Sequence, residues 1–226
     1  MPSVVVTGAN RGIGLALTRG FLADGWQVHA CCRHPEKATK LRALEGDLSL
    51  HRLEVTDALQ VSALARSLAD QPVDLLINNA GSRGARARLG AVDYDSWARV
   101  MAVNVMGPLR MTEQFAPLVA LSERRLIVNV SSVMGSIARN SGGDDYLYRS
   151  SKAALNMVTR SLAVDLAAQG ITVVSVHPGW VSTDMGGASA PLTADSSAAD
   201  LRSLFERLQP ADSGGFFDHD GSVIPW

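Results

Sequence analysis

The order of apolar and amphipathic stretches predicts an α/β protein with a doubly wound, mostly parallel sheet and helices on both faces. Three observations carry this. Short β-branched runs alternate with helical patterns along the chain. Several of those runs are apolar without alternation, as strands covered on both faces require. A glycine-rich turn directly follows the first run and opens into a helix.

Strands are read at 4–6, 27–32, 52–55, 73–77, 125–130 and 171–176, with 214–217 as a last one, so the sheet should hold about seven strands. The intervening stretches at 13–24, 36–44, 57–70, 93–121 and 148–168 repeat apolar residues at helical spacing. Residues 186–199, rich in Ala, Ser, Gly and Thr, read as a mobile loop leading into a short helix at 199–208. The 226 residues suit one domain, 1–226, large enough to bury a core without metal or disulfide.

Charge and cysteine usage narrow the function classes. Lys and Arg number 21 against 22 Asp and Glu, which argues against a nucleic-acid or anionic-membrane partner. The only cysteines, Cys31 and Cys32, are neighbours that a strand points to opposite faces, so a disulfide scaffold is excluded. No charged, signal-length apolar start and no apolar run near 20 residues occurs, and a reducing, cytoplasmic setting is expected. The stretch His29-Ala30-Cys31-Cys32-Arg33-His34 has metal-ligand residue types, but alternation splits them between two faces. No metal site is expected.

Doubly wound sheets bind ligands beyond the carboxyl ends of their strands, and the chemistry-bearing residues fall there. Thr7-Gly8-Ala9-Asn10-Arg11-Gly12-Ile13-Gly14 lets a pyrophosphate approach backbone N–H groups at a helix N-terminus. After the second run stands Arg33 and no carboxylate. With Arg11 it favours the 2′-phosphate of NADPH over the ribose hydroxyl of NADH. Tyr148 and Lys152 lie one helical turn apart on the apolar stripe of a helix. An ammonium beside a phenol should lower the phenol's pKa towards neutrality and make it an acid–base group. Ser131-Ser132 follows the 125–130 strand, where a hydroxyl can donate to a developing alkoxide. Arg83, Arg86 and Arg88 could attract an anionic substrate, although solvated loop charge is the commoner role.

Together, Thr7-Gly8-x-x-x-Gly12-x-Gly14, Asn78-Asn79-Ala80-Gly81, Asn129-Val130-Ser131-Ser132, Tyr148-x-x-x-Lys152 and Pro178-Gly179 resemble the short-chain dehydrogenase/reductase superfamily, a Rossmann-fold family. The stretches around Tyr148, from His177 to Gly187 and at Ile224-Pro225-Trp226 look like its C-factor and sniffer-like carbonyl reductase branch. The resemblance implies Tyr148 as proton donor or acceptor and Ser132, three residues before Gly135, holding the substrate oxygen. It implies Lys152 on the nicotinamide ribose and Asn104 completing a tetrad through a water. Cofactor contacts are implied for Gly8, Asn10, Arg11, Gly12, Ile13, Gly14, Arg33, Glu54, Val55, Asn79, Ala80, Gly81, Tyr148, Lys152, Pro178, Gly179, Val181 and Thr183. Glu54 stands where the family usually has an Asp. Pro108, four residues beyond Asn104, has no N–H, so a kink and a freed Asn104 carbonyl are expected. The implied activity is NADPH-dependent reduction of a small carbonyl compound by a homodimer or homotetramer. A dinucleotide-binding signalling or redox-sensing protein with little turnover is the alternative.

Overall fold

The computed structural model describes residues 1–86 and 88–226. The strands are β1 (Ser3–Thr7), β2 (Gln27–Cys32), β3 (Leu48–Arg52), β4 (Leu75–Asn78), β5 (Leu126–Val130), β6 (Thr172–His177) and β7 (Phe216–Asp218). They form one sheet in the order β3-β2-β1-β4-β5-β6-β7, every neighbouring pair parallel. The order reverses between β1 and β4, which opens a crevice at their carboxyl ends.

The helices are α1 (Gly12–Ala23), α2 (Thr39–Arg42), α3 (Ala58–Ser67), α4 (Tyr94–Met101), α5 (Gly107–Ala120), α6 (Tyr146–Asp165) and α7 (Ala194–Arg207). Residues of α1 and α7 cover one face of the sheet, and residues of α3, α5 and α6 cover the other. The two-residue strand period assigns side chains to these layers: Val28, Ala30 and Cys32 enter the first, while Cys31 enters the second. Cys31 and Cys32 are free thiols on opposite faces. His29 turns towards His51 instead, with Nδ1 and Nε2 3.2 Å apart, and no cluster able to hold a metal ion occurs among the described residues. No helix is long and apolar enough to cross a membrane among those residues.

Three elements depart from the sequence expectation. The third strand is Leu48–Arg52, not 52–55, because Leu48-Ser49-Leu50-His51-Arg52 pairs with β2. Leu53 and Val55 instead leave the sheet edge and bury among α3 and α5 residues. The helix near 199–208 begins at Ala194, capped by Thr193, whose hydroxyl accepts from the Ser196 N–H. The preceding loop carries its own hydrogen bonds: Trp180 Nε1 donates to the Gly186 carbonyl and the Ser182 N–H to the Leu192 carbonyl. The long helix at 93–121 divides at a π-helical turn, Ala102–Met106, where the Gly107 N–H reaches back to the Ala102 carbonyl. Pro108, without an N–H, leaves the Asn104 carbonyl free of its helical donor.

Candidate active site

The glycine turn lies at the crevice. Gly8 and Gly12 adopt φ of 67° and 55°, a left-handed backbone that favours glycine. A Cβ on Gly14 would collide with the Gly8 carbonyl oxygen, so that glycine is fixed by close approach. The first turn of α1 carries no acidic residue, and Arg11, its N-cap, makes no side-chain capping bond. The free N–H groups and the positive end of α1 therefore face the crevice, an arrangement fitted to a dinucleotide's phosphates. Ile13 packs on the core, while Asn10 and Arg11 are exposed. Arg11 pairs with Asp184 across the crevice.

Thr7 and Asn79 lock the two sides of the switch point. The Thr7 hydroxyl accepts from the N–H groups of Asn79 and Ala80, each at 3.0 Å, and Asn79 Nδ2 donates to the Thr7 carbonyl at 2.9 Å. Arg33 stands at the end of β2, largely exposed, its Nη1 3.9 Å from Glu54 Oε2. Val55 is buried against Gly107. Beyond β6 the Pro178 carbonyl accepts from Ser197 and Gly179 takes φ 81°. Val181 is buried, and the Thr183 hydroxyl accepts from the Gly186 N–H while its methyl group would touch a Cβ on Gly12. Hydrogen bonds and close approaches thus tie the glycine turn to Asn79 and Ala80 on one side and to Thr183 on the other.

The sequence places Ser132, Tyr148 and Lys152 at one end of this crevice, and the structure brings them together. Lys152 is 4% exposed, and its Nζ donates to the Val130 carbonyl at 2.8 Å and stands 5.7 Å from the Tyr148 ring centroid. Burial lowers its pKa to about 8. Tyr148 corrects the sequence expectation: its phenol lies above the ordinary value, because burial outweighs the hydrogen bond from Ser132 and the charge of Arg83. The two serines divide their work. Ser131 donates to Asn156 Oδ1 at 2.7 Å, whereas Ser132 is the one facing the phenol.

Asn104 is fully buried beside Lys152. Its Oδ1 accepts from the Ser82 N–H at 2.8 Å, and its Nδ2 donates to the Ser82 carbonyl at 2.7 Å and to Ser151 Oγ at 2.9 Å. A Cβ on Gly81 would sit 3.5 Å from Asn104 Oδ1 and 3.8 Å from Lys152 Nζ, so Gly81 opens the space these groups share.

Sequence reasoning missed the polar layer beneath the site. Asn78 Nδ2 donates to Asn129 Oδ1, Asn129 Nδ2 to Thr159, and Ser175 also to Thr159, each at 2.9 Å. The available signal was register: Asn78, Asn129 and Ser175 stand side by side on β4, β5 and β6. Also missed was Asp145, which accepts from Arg83 Nη2 at 2.9 Å just before Tyr148.

A nucleotide crevice at the switch point of a parallel sheet, ending at a Ser–Tyr–Lys group, defines a class of dinucleotide-dependent oxidoreductases. The family model for short chain dehydrogenases matches residues 2–192, and the chain belongs to that family. The chain is 46% identical over 164 residues to C-signal of Myxococcus xanthus, covering 73% of this chain and 99% of that protein. It superposes on the carbonyl reductase Sniffer of D. melanogaster with TM-score 0.96 at 34% identity, both chains fully covered. For the NADPH-bound carbonyl reductase from chicken fatty liver the TM-score is 0.93 at 35% identity, with 100% and 99% covered.

Proposed function

We propose that the chain reduces the carbonyl group of a small aldehyde or ketone to an alcohol with NADPH, with Tyr148 as general acid. One observation carries this most directly: the Tyr148 ring stands beside Ser132 and 5.7 Å from Lys152 Nζ, at the end of a crevice whose glycine turn fits a dinucleotide. Bound NADPH supplies the hydride. The chain's residues do the rest. Ser132 donates a hydrogen bond to the substrate oxygen, and Tyr148 gives that oxygen its proton as charge develops there. Lys152, buried and positive below about pH 8, stabilises the phenolate that remains. Asn104 holds Ser82 and Ser151 around Lys152, and its backbone carbonyl, denied its usual helical donor by Pro108, would accept from a water that returns the proton. Arg11 and Arg33 supply the cations for the 2′-phosphate, and the bound cofactor of the chicken enzyme supports NADPH.

The test is NADPH oxidation, followed by nicotinamide absorbance, across a panel of carbonyl compounds. Tyr148→Phe should lower turnover by about 10²–10⁴-fold while cofactor affinity holds; unaltered turnover would remove Tyr148 from the reaction. The identity with C-signal favours a second reading, a signalling protein that binds the dinucleotide with little turnover. The grouping of Ser132, Tyr148 and Lys152 weighs against it, because binding alone needs no phenol set beside a buried ammonium. The reading further takes 1–226 as one nucleotide-binding domain in a cytoplasmic homodimer or homotetramer. Exposed Met106, Met157 and Val164 at the α5 boundary and on α6 support such an interface.

A further inference from the structure

The segments that flank the reacting end of the crevice carry a charge the rest of the chain does not. Residues 82–92 hold Arg83, Arg86 and Arg88 and no acid, and residues 139–149 hold two arginines against Asp144 and Asp145. Their sum is +3 in a chain whose total is −1. Two ion pairs bring the segments together, Arg83 with Asp145 at 2.9 Å and Arg88 with Asp144 at 3.8 Å. Asp144 and Asp145 take φ of 50° and 49°, an unusual left-handed pair that costs about 1–3 kcal/mol per residue. That backbone seats Asp145 against Arg83 directly before the catalytic helix.

Arg83 itself is underused. Its guanidinium carbon lies 5.8 Å from the Tyr148 ring centroid, and its side chain is 23% exposed. Asp145 takes only Nη2, Nε is buried out of a ligand's reach, and Nη1 is left accessible with no partner among the described residues. A guanidinium presents paired donors that match the two oxygens of a carboxylate. A cationic, partly desolvated donor set beside the general acid is costly unless something else uses it.

We propose that Arg83 is a specificity-determining residue that binds a carboxylate on the carbonyl substrate, with Arg86 and Arg88 attracting the anion to the site. The proposal rests on the reductase reading and names its substrate class: carbonyl compounds carrying a carboxylate. Arg83 supplies the hydrogen bonds, and the exposed Arg86 and Arg88 supply long-range field that salt screens.

The experiment compares 4-carboxybenzaldehyde with its methyl ester as NADPH-dependent substrates. In the native chain kcat/KM should favour the acid by about tenfold or more. Arg83→Gln should bring the acid-to-ester ratio to about one, whatever it does to either rate alone, whereas a purely structural arginine would change both rates and leave the ratio. Arg86→Gln with Arg88→Gln, at exposed positions where folding is not at stake, should lower the ratio about two- to fivefold and flatten its dependence on sodium chloride. A native ratio of one or less, or an unchanged ratio in Arg83→Gln, overturns the proposal. Binding of both probes to the NADPH complex of Tyr148→Phe, read by nicotinamide fluorescence, separates the two readings. Tighter binding of the acid without turnover by the native chain would sink the reductase reading and uphold the carboxylate site. Reduction of the ester with no preference for the acid would do the reverse.

Discussion

Gly135→Ala tests how the turn after Ser132 sets the position of Lys152. A Cβ built on Gly135 would stand 2.8 Å from both the carbonyl carbon and the Cβ of Lys152, and 3.0 Å from its carbonyl oxygen. Gly135 does not need a left-handed backbone, so the conflict is steric and lies against α6 itself. Carbon atoms rest near 3.5–4.0 Å, so α6 and the turn must part by roughly 1 Å. Overpacking of this kind costs about 1–3 kcal/mol, which for a chain of this length lowers Tm by about 3–10 °C. A displacement of about 1 Å at Lys152 should also reduce kcat/KM for NADPH-dependent carbonyl reduction about 10²-fold. Thermal unfolding and steady-state kinetics of the purified variant measure both. Gly142→Ala is the control, because its Cβ would meet only the flexible end of Arg149 at 3.7 Å. If Gly135→Ala melts and turns over like Gly142→Ala, the turn does not position α6 and the reasoning fails.

Other outcomes follow from the same geometry. Lys152 loses its charge as pH rises through about 8, so the rate of carbonyl reduction should fall above that pH, and Lys152→Arg should move the fall to higher pH. A profile unchanged by that substitution would exclude Lys152 as its source. His51 and His177 are held near pKa 4 by burial, and His29 is lowered too. Unfolded histidines take up protons below about 6.5, where these native ones do not, so stability should decline as pH falls from 6.5 towards 4. Tm measured across that window should drop, and His51→Gln should make the drop shallower. Arg33→Asp should raise KM for NADPH at least tenfold relative to NADH, by removing a cation and adding a repelling carboxylate beside Glu54. An unchanged ratio of the two cofactors would place the 2′-phosphate elsewhere.

Most of the sheet was legible because its strands bury both faces and so spell themselves as β-branched runs; β2 appears at the residues the pattern marks. The third strand was displaced because edge strands lose that signature. Leu48-Ser49-Leu50-His51-Arg52 has no β-branched residue and is at most half-buried, and the buried apolar residues Leu53 and Val55 belong to the layer of α3 and α5. The start of α7 was hidden by the Ala- and Ser-rich composition of its first turns, where Thr193 alone marks the boundary. At the candidate site, the glycine turn, Tyr148 and Lys152 were readable as local spacings. The direction of the Tyr148 shift was not. It depends on how far burial outweighs the groups that fold against the ring, Ser132 and Arg83, both remote from it in sequence.

What the chain's linear order decided is the set of groups and their spacing: glycines at a strand exit, a phenol and an amine one helical turn apart, a proline four residues after Asn104. Those are local facts, set by backbone sterics and helical period. Folding alone decided which groups act on each other. Asp145 meets Arg83 across 62 residues, Thr7 clamps Asn79 across 72, and Gly135 receives the backbone of Lys152. Charge, desolvation and steric contact depend on distance in space, so the electrostatic character of the site exists only once the sheet has brought its strand ends together.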